Sequence, residues 1–181
     1  MIIDIKKIRR EIIWPIALQS LSTGIFVSVL ISKTIPTMNS SARIIIERIL
    51  GIASTYNIST FCEIFIKVFL FTFIQFVVLS FLFQIFAELL CKKEVLFFDS
   101  ALIVSKPAPI SALLLACGLP WLLITPAATA PYIFASFIIT LLYNYTATCT
   151  TFTINANTGI LLTASVYLIY FAFICICIMN C

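Results

Sequence analysis

Polar side chains that could do chemistry are sparse in this chain, and the most regular set recurs every four residues. Ser80, Gln84 and Glu88 lie in a long apolar stretch, and Gln75 precedes them in the same stretch. Four-residue spacing places side chains on one face of a helix. If that helix spans a membrane, an ionisable group on it is a candidate for a solute or ion pathway. The alternative is a structural stripe that joins helices, in which Glu88 pairs with Lys92 at i+4.

A second set of polar groups consists of small and hydroxyl side chains in the C-terminal half, and it suits close contact between helices. The chain contains only 4 glycines, and these are too far apart for Gly-xxx-Gly packing. Small hydroxyl residues can bring two membrane helices together and form modest hydrogen bonds between them. The candidates for such helix packing are Ser136, Thr140, Thr163 and Ser165.

The residue patterns of catalytic and metal sites are missing from the sequence. It contains no His, and its 7 Cys include no Cys-x-x-Cys pair. Cys175, Cys177 and Cys181 lie close together, but they lack the His or carboxylate neighbours found in most protein metal sites. The chain also lacks a nucleophile elbow, a zinc-protease motif and a glycine-rich phosphate loop. The sequence therefore predicts a protein that is not an enzyme, with no catalytic residue, no metal site and no cofactor.

Positive charge is concentrated near the N-terminus. The cluster consists of Lys6, Lys7, Arg9 and Arg10, directly before the first long apolar stretch. Basic residues beside a membrane span contact anionic headgroups and mark the cytoplasmic side. Since headgroups already explain this cluster, we expect no nucleic-acid partner.

The helices that would carry these residues have the composition of a membrane protein. Hydrophobic residues make up 62% of the chain and charged residues 10%, far below the about 25% usual in soluble domains. From Pro107 to Cys181 the sequence contains no Asp, Glu, Lys, Arg or His. A soluble domain could not cover its surface without charge, whereas lipid solvates the outer face of a transmembrane bundle. We therefore expect the lipid bilayer as a partner.

Charged and polar breaks divide the chain into five apolar segments of about 20 residues or more, as membrane helices require. We expect one all-α membrane domain over residues 1–181, a polytopic helical bundle. Its predicted transmembrane helices are 12–32, 64–90, 101–124, 129–149 and 159–179. Two amphipathic segments are predicted to lie on the membrane surface, an interfacial helix at 1–11 and a connection at 42–54.

Lys106 and the prolines that follow it interrupt the third predicted span. Pro107 and Pro109 each lack a backbone donor and disfavour helix before them. Such a break inside the membrane can expose carbonyl groups to a solute, as it does in transporters. The alternative is that the span starts here and Lys106 extends to the cytoplasmic surface.

The distribution of Lys and Arg predicts the orientation of the chain. With the N-terminus inside, the inner side carries more of them than the outer side, as the positive-inside rule requires. The inner residues are Lys6, Lys7, Arg9, Arg10, Lys92, Lys93 and Lys106. The outer residues are Lys33, Arg43, Arg48 and Lys67. We therefore expect a cytoplasmic N-terminus and, after an odd number of crossings, a C-terminus on the opposite side.

The succession of spans resembles the Yip1-type membrane proteins, which have five spans and a cytoplasmic N-terminus. The similar part is about residues 81–178. It begins FLFQIFAELLCKKEVLFFDSALIVSKPAPISALLL, a span, a short basic loop and a proline-bearing third span, and it closes with YLIYFAFICICIM. The family's long acidic or zinc-bearing N-terminal region is not part of this sequence. The resemblance implies a non-enzymatic protein that interacts with other membrane proteins in membrane trafficking or organisation.

Two functions are open at this point. The leading expectation is association with other membrane proteins through helix–helix contacts. The alternative is transport of a small solute, as a transporter or as the membrane subunit of one. Polar groups that converge at the middle of the membrane would favour transport, and Gln75 and Ser80 are the clear candidates for that depth.

Overall fold

The computed structural model describes residues 8–37, 39–40, 44, 47, 58–92 and 94–179, and the regular elements in these ranges are all helices. In chain order the α-helices are α1 Trp14–Thr34, α2 Ile58–Cys91, α3 Phe97–Ser105, α4 Ala108–Ile124, α5 Ala130–Phe152 and α6 Ala156–Met179. A π-helical turn, Arg9–Ile13, leads into α1, and short 3-10 turns follow α1 and precede α5.

Five helical segments within the described residues are long and apolar enough to cross a membrane. They are Arg9–Thr34, Ser59–Cys91, Phe97–Ile124, Pro126–Phe152 and Ala156–Ile176. The predicted all-α bundle with five candidate spans is therefore confirmed, and these spans indicate a multi-pass membrane protein. The predicted surface segments 1–11 and 42–54 lie largely outside the described residues, as do Lys6 and Lys7.

The second span, predicted at 64–90, is longer in the structure because its helix continues through charged residues. α2 begins at Ile58 and contains 34 residues. Near its start, Lys67 Nζ pairs with Glu63 Oε1 at 2.6 Å, one helical turn apart. At 1.5 Å per residue α2 is about 50 Å long, well above the about 30 Å thickness of a hydrocarbon core. Part of this helix must therefore tilt or project beyond the lipid.

The five spans form a ring in which each one packs mainly against two others. α1 contacts α2 and α4, α5 contacts α4 and α6, and α6 contacts α2, which closes the ring. The larger apolar core includes Phe83, Leu162 and Val166, and a smaller one forms where Phe26 packs with Leu122 between α1 and α4. Neighbouring helices of the ring are therefore joined by packed apolar side chains.

The short helix α3 bridges this ring at one end. It contacts α2 and α5, which are not neighbours in the ring, and it also contacts the π-helical turn. Its buried side chains are Ser100, Ala101, Ile103, Val104 and Ser105. The Ser105 hydroxyl donates to the Glu11 carbonyl at 2.8 Å. Since the π-helical turn begins the first span, α3 covers the end of the ring at which the chain enters.

The third span is interrupted at Lys106 and Pro107, between α3 and α4. Both residues keep right-handed helical backbone angles, and the Lys106 N–H donates to the Leu102 carbonyl at 3.2 Å. Pro107 and Pro109 have no N–H, so they remove the helical donors of the carbonyls four residues before them. Lys106 is exposed, as expected for a cation at the margin of the lipid.

Gly118 allows α4 to approach two neighbouring helices closely. A Cβ atom at this position would lie 3.1 Å from Phe26 Cε2 on α1 and 3.2 Å from Tyr132 Cβ on α5. These separations are shorter than ordinary carbon–carbon contacts of about 3.5–4.0 Å. The missing side chain therefore sets the distance between α4 and both of its neighbours.

Candidate functional site

A cavity of about 430 Å³ lies inside the helix ring, and all five spans contribute to its wall. Its volume is in the range of pockets that bind small molecules. Among the described residues, the lining contains no Asp, Glu, Lys or Arg. Its polar atoms belong to hydroxyl and amide side chains, namely Gln19, Thr23, Thr72, Gln75, Ser111, Ser136, Thr140, Asn144, Tyr167 and Tyr170.

One polar cluster of the cavity joins α1, α4 and α5. Gln19 Nε2 donates to Ser111 Oγ at 3.2 Å, and the hydroxyls of Ser111 and Ser136 form a short hydrogen bond. Both serines are buried. Gln19 Oε1 is also buried and has no hydrogen-bond partner among the described residues. The cluster connects three spans and leaves one amide oxygen with unused capacity.

A second polar cluster joins α5 and α6. Asn144 Nδ2 donates to the hydroxyl of Tyr167, and Asn144 is fully buried at 0% exposure. Asn144 Oδ1 has no hydrogen-bond partner among the described residues. An unsatisfied buried polar atom costs about 1–3 kcal/mol. Asn144 also lines the cavity, so a ligand that donated a hydrogen bond to this oxygen, once the amide turned toward it, would remove this cost.

The two clusters are connected by a polar stripe on α5. Ser136, Thr140 and Asn144 follow one another at four-residue spacing, and all three line the cavity. Ser136 and Asn144 are eight residues apart, which is about 12 Å along the helix. The Thr140 hydroxyl donates to the Ser136 carbonyl at 2.8 Å. The stripe thus connects the two polar clusters along one side of the cavity wall.

The rest of the cavity wall is apolar and rich in aromatic rings. Val27, Leu30 and Leu115 contribute aliphatic surface. The phenylalanines of the lining are Phe26, Phe71, Phe76, Phe137 and Phe171. Phe137 and Phe171 are in contact, with ring centroids 5.9 Å apart. A cavity of this kind suits an uncharged molecule with an apolar body.

The interruption of the third span lies next to the cavity. Val104 of α3 and Ser111 of α4 both line it, and Lys106 and Pro107 lie between them in the chain. Discontinuous helices form the substrate sites of many transporters. Lys106 itself is exposed, and the backbone stays helical through it, so both alternatives for this segment stay predictions.

The predicted polar stripe on α2 does not act as one unit in the structure. Gln75 lines the cavity, halfway along the helix. Ser80 is buried, and its hydroxyl donates to the Phe76 carbonyl at 2.7 Å. Gln84 Nε2 donates to Glu88 Oε1 at 3.2 Å and to the Val95 carbonyl at 3.0 Å. Gln84 and Glu88 therefore connect the end of α2 to the following loop, away from the cavity.

The predicted helix-packing residues take different positions. Ser136 and Thr140 line the cavity, where Ser136 contacts Ser111 of the same chain. Thr163 is buried at 6% exposure, and its hydroxyl has no partner among the described residues. Ser165 is half-buried.

The described part of the N-terminal basic cluster faces outward. Arg9 and Arg10 are exposed. Arg10 Nη2 lies 3.3 Å from Glu11 Oε1, a surface ion pair between adjacent residues. Exposed pairs of this kind contribute little to stability, so the cluster is available to contact headgroups.

Asn144, Gln19 and Ser111 belong to the site, but our reading of the sequence did not select them. The signal for Asn144 was present, since Ser136, Thr140, Asn144 and Thr148 recur every four residues. Gln19 and Ser111 are isolated polar residues in apolar segments, and their proximity depends on how α1 and α4 pack.

Comparison with known proteins adds no relative to this description. No protein-family model, no curated protein and no solved structure matches the chain. The function must therefore be argued from the cavity and its chemistry.

Proposed function

We propose that this protein is a membrane transporter for a small uncharged solute. The observation that carries the proposal is the central cavity, which all five spans line with amide and hydroxyl groups and without a charged side chain among the described residues. Polar groups inside a membrane bundle are costly, and they commonly mark solute pathways. The convergence of Gln75 with polar groups from the other spans favours transport over the leading sequence-based expectation.

Two further features support transport. Transporters place their binding sites near the middle of the bilayer, beside interrupted helices. Here Tyr167 and Gln75 lie halfway along α6 and α2, and the interruption at Pro107 borders the cavity. Val104 of α3 lines the cavity, and α3 bridges α2 and α5 at one end of the ring. A short helix that lies across one end of the ring fits a protein that exposes its site to one side of the membrane at a time.

Solute flux through the purified protein tests this proposal. Liposomes containing the protein are loaded with glycerol, urea or radiolabelled benzamide, and efflux is compared with protein-free liposomes. We expect faster efflux of at least one uncharged solute and no acceleration for choline or glutamate. The change Asn144→Leu should reduce the protein-dependent rate about tenfold, the effect of losing one hydrogen-bonding group of about 1.4 kcal/mol.

Ala164→Leu is the matched control, since Ala164 is exposed on α6 and does not line the cavity. This variant should keep the unmodified rate. Efflux equal to that of protein-free liposomes for all three uncharged solutes would contradict transport. Equal rates for Asn144→Leu and the unmodified protein would exclude this cavity as the pathway.

The proposed orientation has a cytoplasmic N-terminus, and cysteine labelling in intact cells tests it. Ala127 and Asn155 are exposed in the two connections that flank α5, so one must face outward and the other inward. In a variant without the 7 native cysteines, we expect Ala127→Cys to react with an impermeant maleimide in intact cells. Asn155→Cys should react only after permeabilisation. The opposite labelling pattern would show that the N-terminus lies outside the cytoplasm.

Association with another membrane protein is a second candidate function. The observation that favours it is the exposure of the fourth span. Only 11% of its apolar stretch is buried inside the structure, whereas each of the other spans has 28% or more of its stretch buried. Its outer surface carries Phe134, Ile138 and Leu142. Residue-specific photo-crosslinking at Phe134 and Ile138 would capture a partner there, whereas crosslinks to lipid alone would count against one. Kinship with Yip1-type proteins stays a prediction.

A further inference from the structure

The two unpartnered amide oxygens of the cavity carry information about its ligand. Gln19 Oε1 and Asn144 Oδ1 are buried acceptors without hydrogen-bond partners among the described residues. Asn144 Nδ2 is already bonded to Tyr167, and Gln19 Nε2 is bonded to Ser111. An acceptor with unused capacity is complemented by an N–H or O–H donor. Both oxygens are covered in this structure. A ligand could therefore donate to Asn144 Oδ1 only after the amide turns about its side-chain bonds, which also releases its nitrogen from Tyr167.

The surroundings of Asn144 define the remainder of the ligand. Tyr167, Tyr170 and Phe171 line the cavity from α6, and Phe137 lines it from α5. Aromatic side chains pack favourably against other aromatic rings, in stacked or edge-on arrangements. An ionic ligand would lack a counter-charge here, since the described lining contains no Asp, Glu, Lys or Arg.

We infer that the cavity binds a small uncharged aromatic molecule that carries an N–H or O–H donor, with Asn144 Oδ1 as the acceptor. This inference rests on the proposed function and names its substrate class. The ring of the ligand lies among the aromatic side chains, and its donor satisfies the amide oxygen that the protein leaves unpaired. An aryl amine, an aryl amide, a phenol or an indole has this combination of groups.

Three indoles separate the need for a donor from the need for an apolar ring. Indole and 3-methylindole both have the ring N–H, whereas 1-methylindole has the same added methyl group and no donor. Binding to the purified protein is measured by equilibrium dialysis in detergent and corrected with protein-free micelles. We expect 3-methylindole to bind about tenfold more tightly than 1-methylindole, the ratio expected for one buried hydrogen bond.

The variant Asn144→Leu identifies the acceptor. It should bind 1-methylindole and 3-methylindole equally, because the discriminating oxygen is gone, whereas Ala164→Leu should keep the full preference. If Asn144→Leu does not fold, the comparison of the two methylindoles on the unmodified protein still decides whether the ligand needs a hydrogen-bond donor.

The outcomes separate this inference from the proposal of transport. Equal binding of the two methylindoles by the unmodified protein, or no binding of any indole, would overturn the ligand class. If glycerol or urea nevertheless crossed the membrane in a manner that depended on Asn144, the proposal of transport would remain supported and only the aromatic ligand class would be rejected. If the preference for 3-methylindole were found and no solute crossed, the ligand class would stand and transport would fail.

Discussion

Replacing Gly118 by Leu is expected to destabilise the helix ring strongly, with a loss of about 3 kcal/mol in the free energy of unfolding, the upper end of the usual cost of overpacking. The added side chain would start with its Cβ 3.1 Å from the Phe26 ring and 3.2 Å from Tyr132 Cβ. Phe26 is only 1% exposed, and its ring borders the cavity and could turn aside, but this would not relieve the contact with Tyr132. Tyr132 Cβ is bonded to the backbone of α5, so relief requires α4 and α5 to move apart.

The apparent melting temperature in mild detergent is the measurement for Gly118→Leu. Ala116→Leu serves as the control, because Ala116 is exposed on the same helix two residues earlier. Leu is a good helix former at both positions, so a difference between the variants reports packing. We expect the control to melt close to the unmodified protein. Similar melting temperatures for the two variants would mean that α4 does not approach its neighbours at Gly118.

Replacing Phe83 by Ala is expected to have a comparably large effect at the other end of the ring. Phe83 is 0% exposed and belongs to the larger core, where its ring meets Tyr167 edge-on with centroids 6.4 Å apart. Removing a buried Phe costs about 3–5 kcal/mol in soluble proteins. In lipid, where lost packing contacts matter more than water exclusion, we expect about 3 kcal/mol.

Phe81→Ala is the control for this change, since Phe81 lies two residues earlier and is 51% exposed. Unfolding by a rising fraction of SDS in mixed micelles, followed by circular dichroism, compares the two variants with the unmodified protein. We expect a clear loss of stability for Phe83→Ala and a small one for Phe81→Ala. The reverse order would mean that α2 is rotated relative to the structure. Because Phe83 packs against Tyr167 and Tyr167 accepts a hydrogen bond from Asn144, Phe83→Ala should also reduce the preference for 3-methylindole over 1-methylindole.

The polar groups of this protein contribute to stability and to the site in different proportions. Ser111 contributes to packing, since it joins Gln19 and Ser136 across three helices. Asn144 is half satisfied, with its amide nitrogen bonded and its oxygen free. A protein that retains such an oxygen gives up some stability at that position. This trade is expected where a ligand completes the hydrogen bonding.

The membrane class and the number of candidate spans were predictable from the amino-acid sequence. Both depend on local composition, because a helix of about 20 apolar residues must lie in lipid whatever its neighbours are. The uncharged tract from Pro107 onward and the breaks near Thr125 and Asn155 were sufficient to place the last three spans. The helical ends were less predictable, since α2 continues through Glu63 and Lys67, whose side chains pair on its surface.

The candidate site became visible only in the tertiary structure. Hydropathy does not report the rotation of a helix about its axis, and in lipid an apolar face can point either inward or outward. Ser80 looked as promising as Gln75 in the sequence, yet only Gln75 lines the cavity. Asn144 stands out because Tyr167 of α6 lies beside its amide nitrogen, whereas its covered oxygen has no hydrogen-bond partner among the described residues. Such a pairing depends on contacts between distant segments, which local composition does not encode.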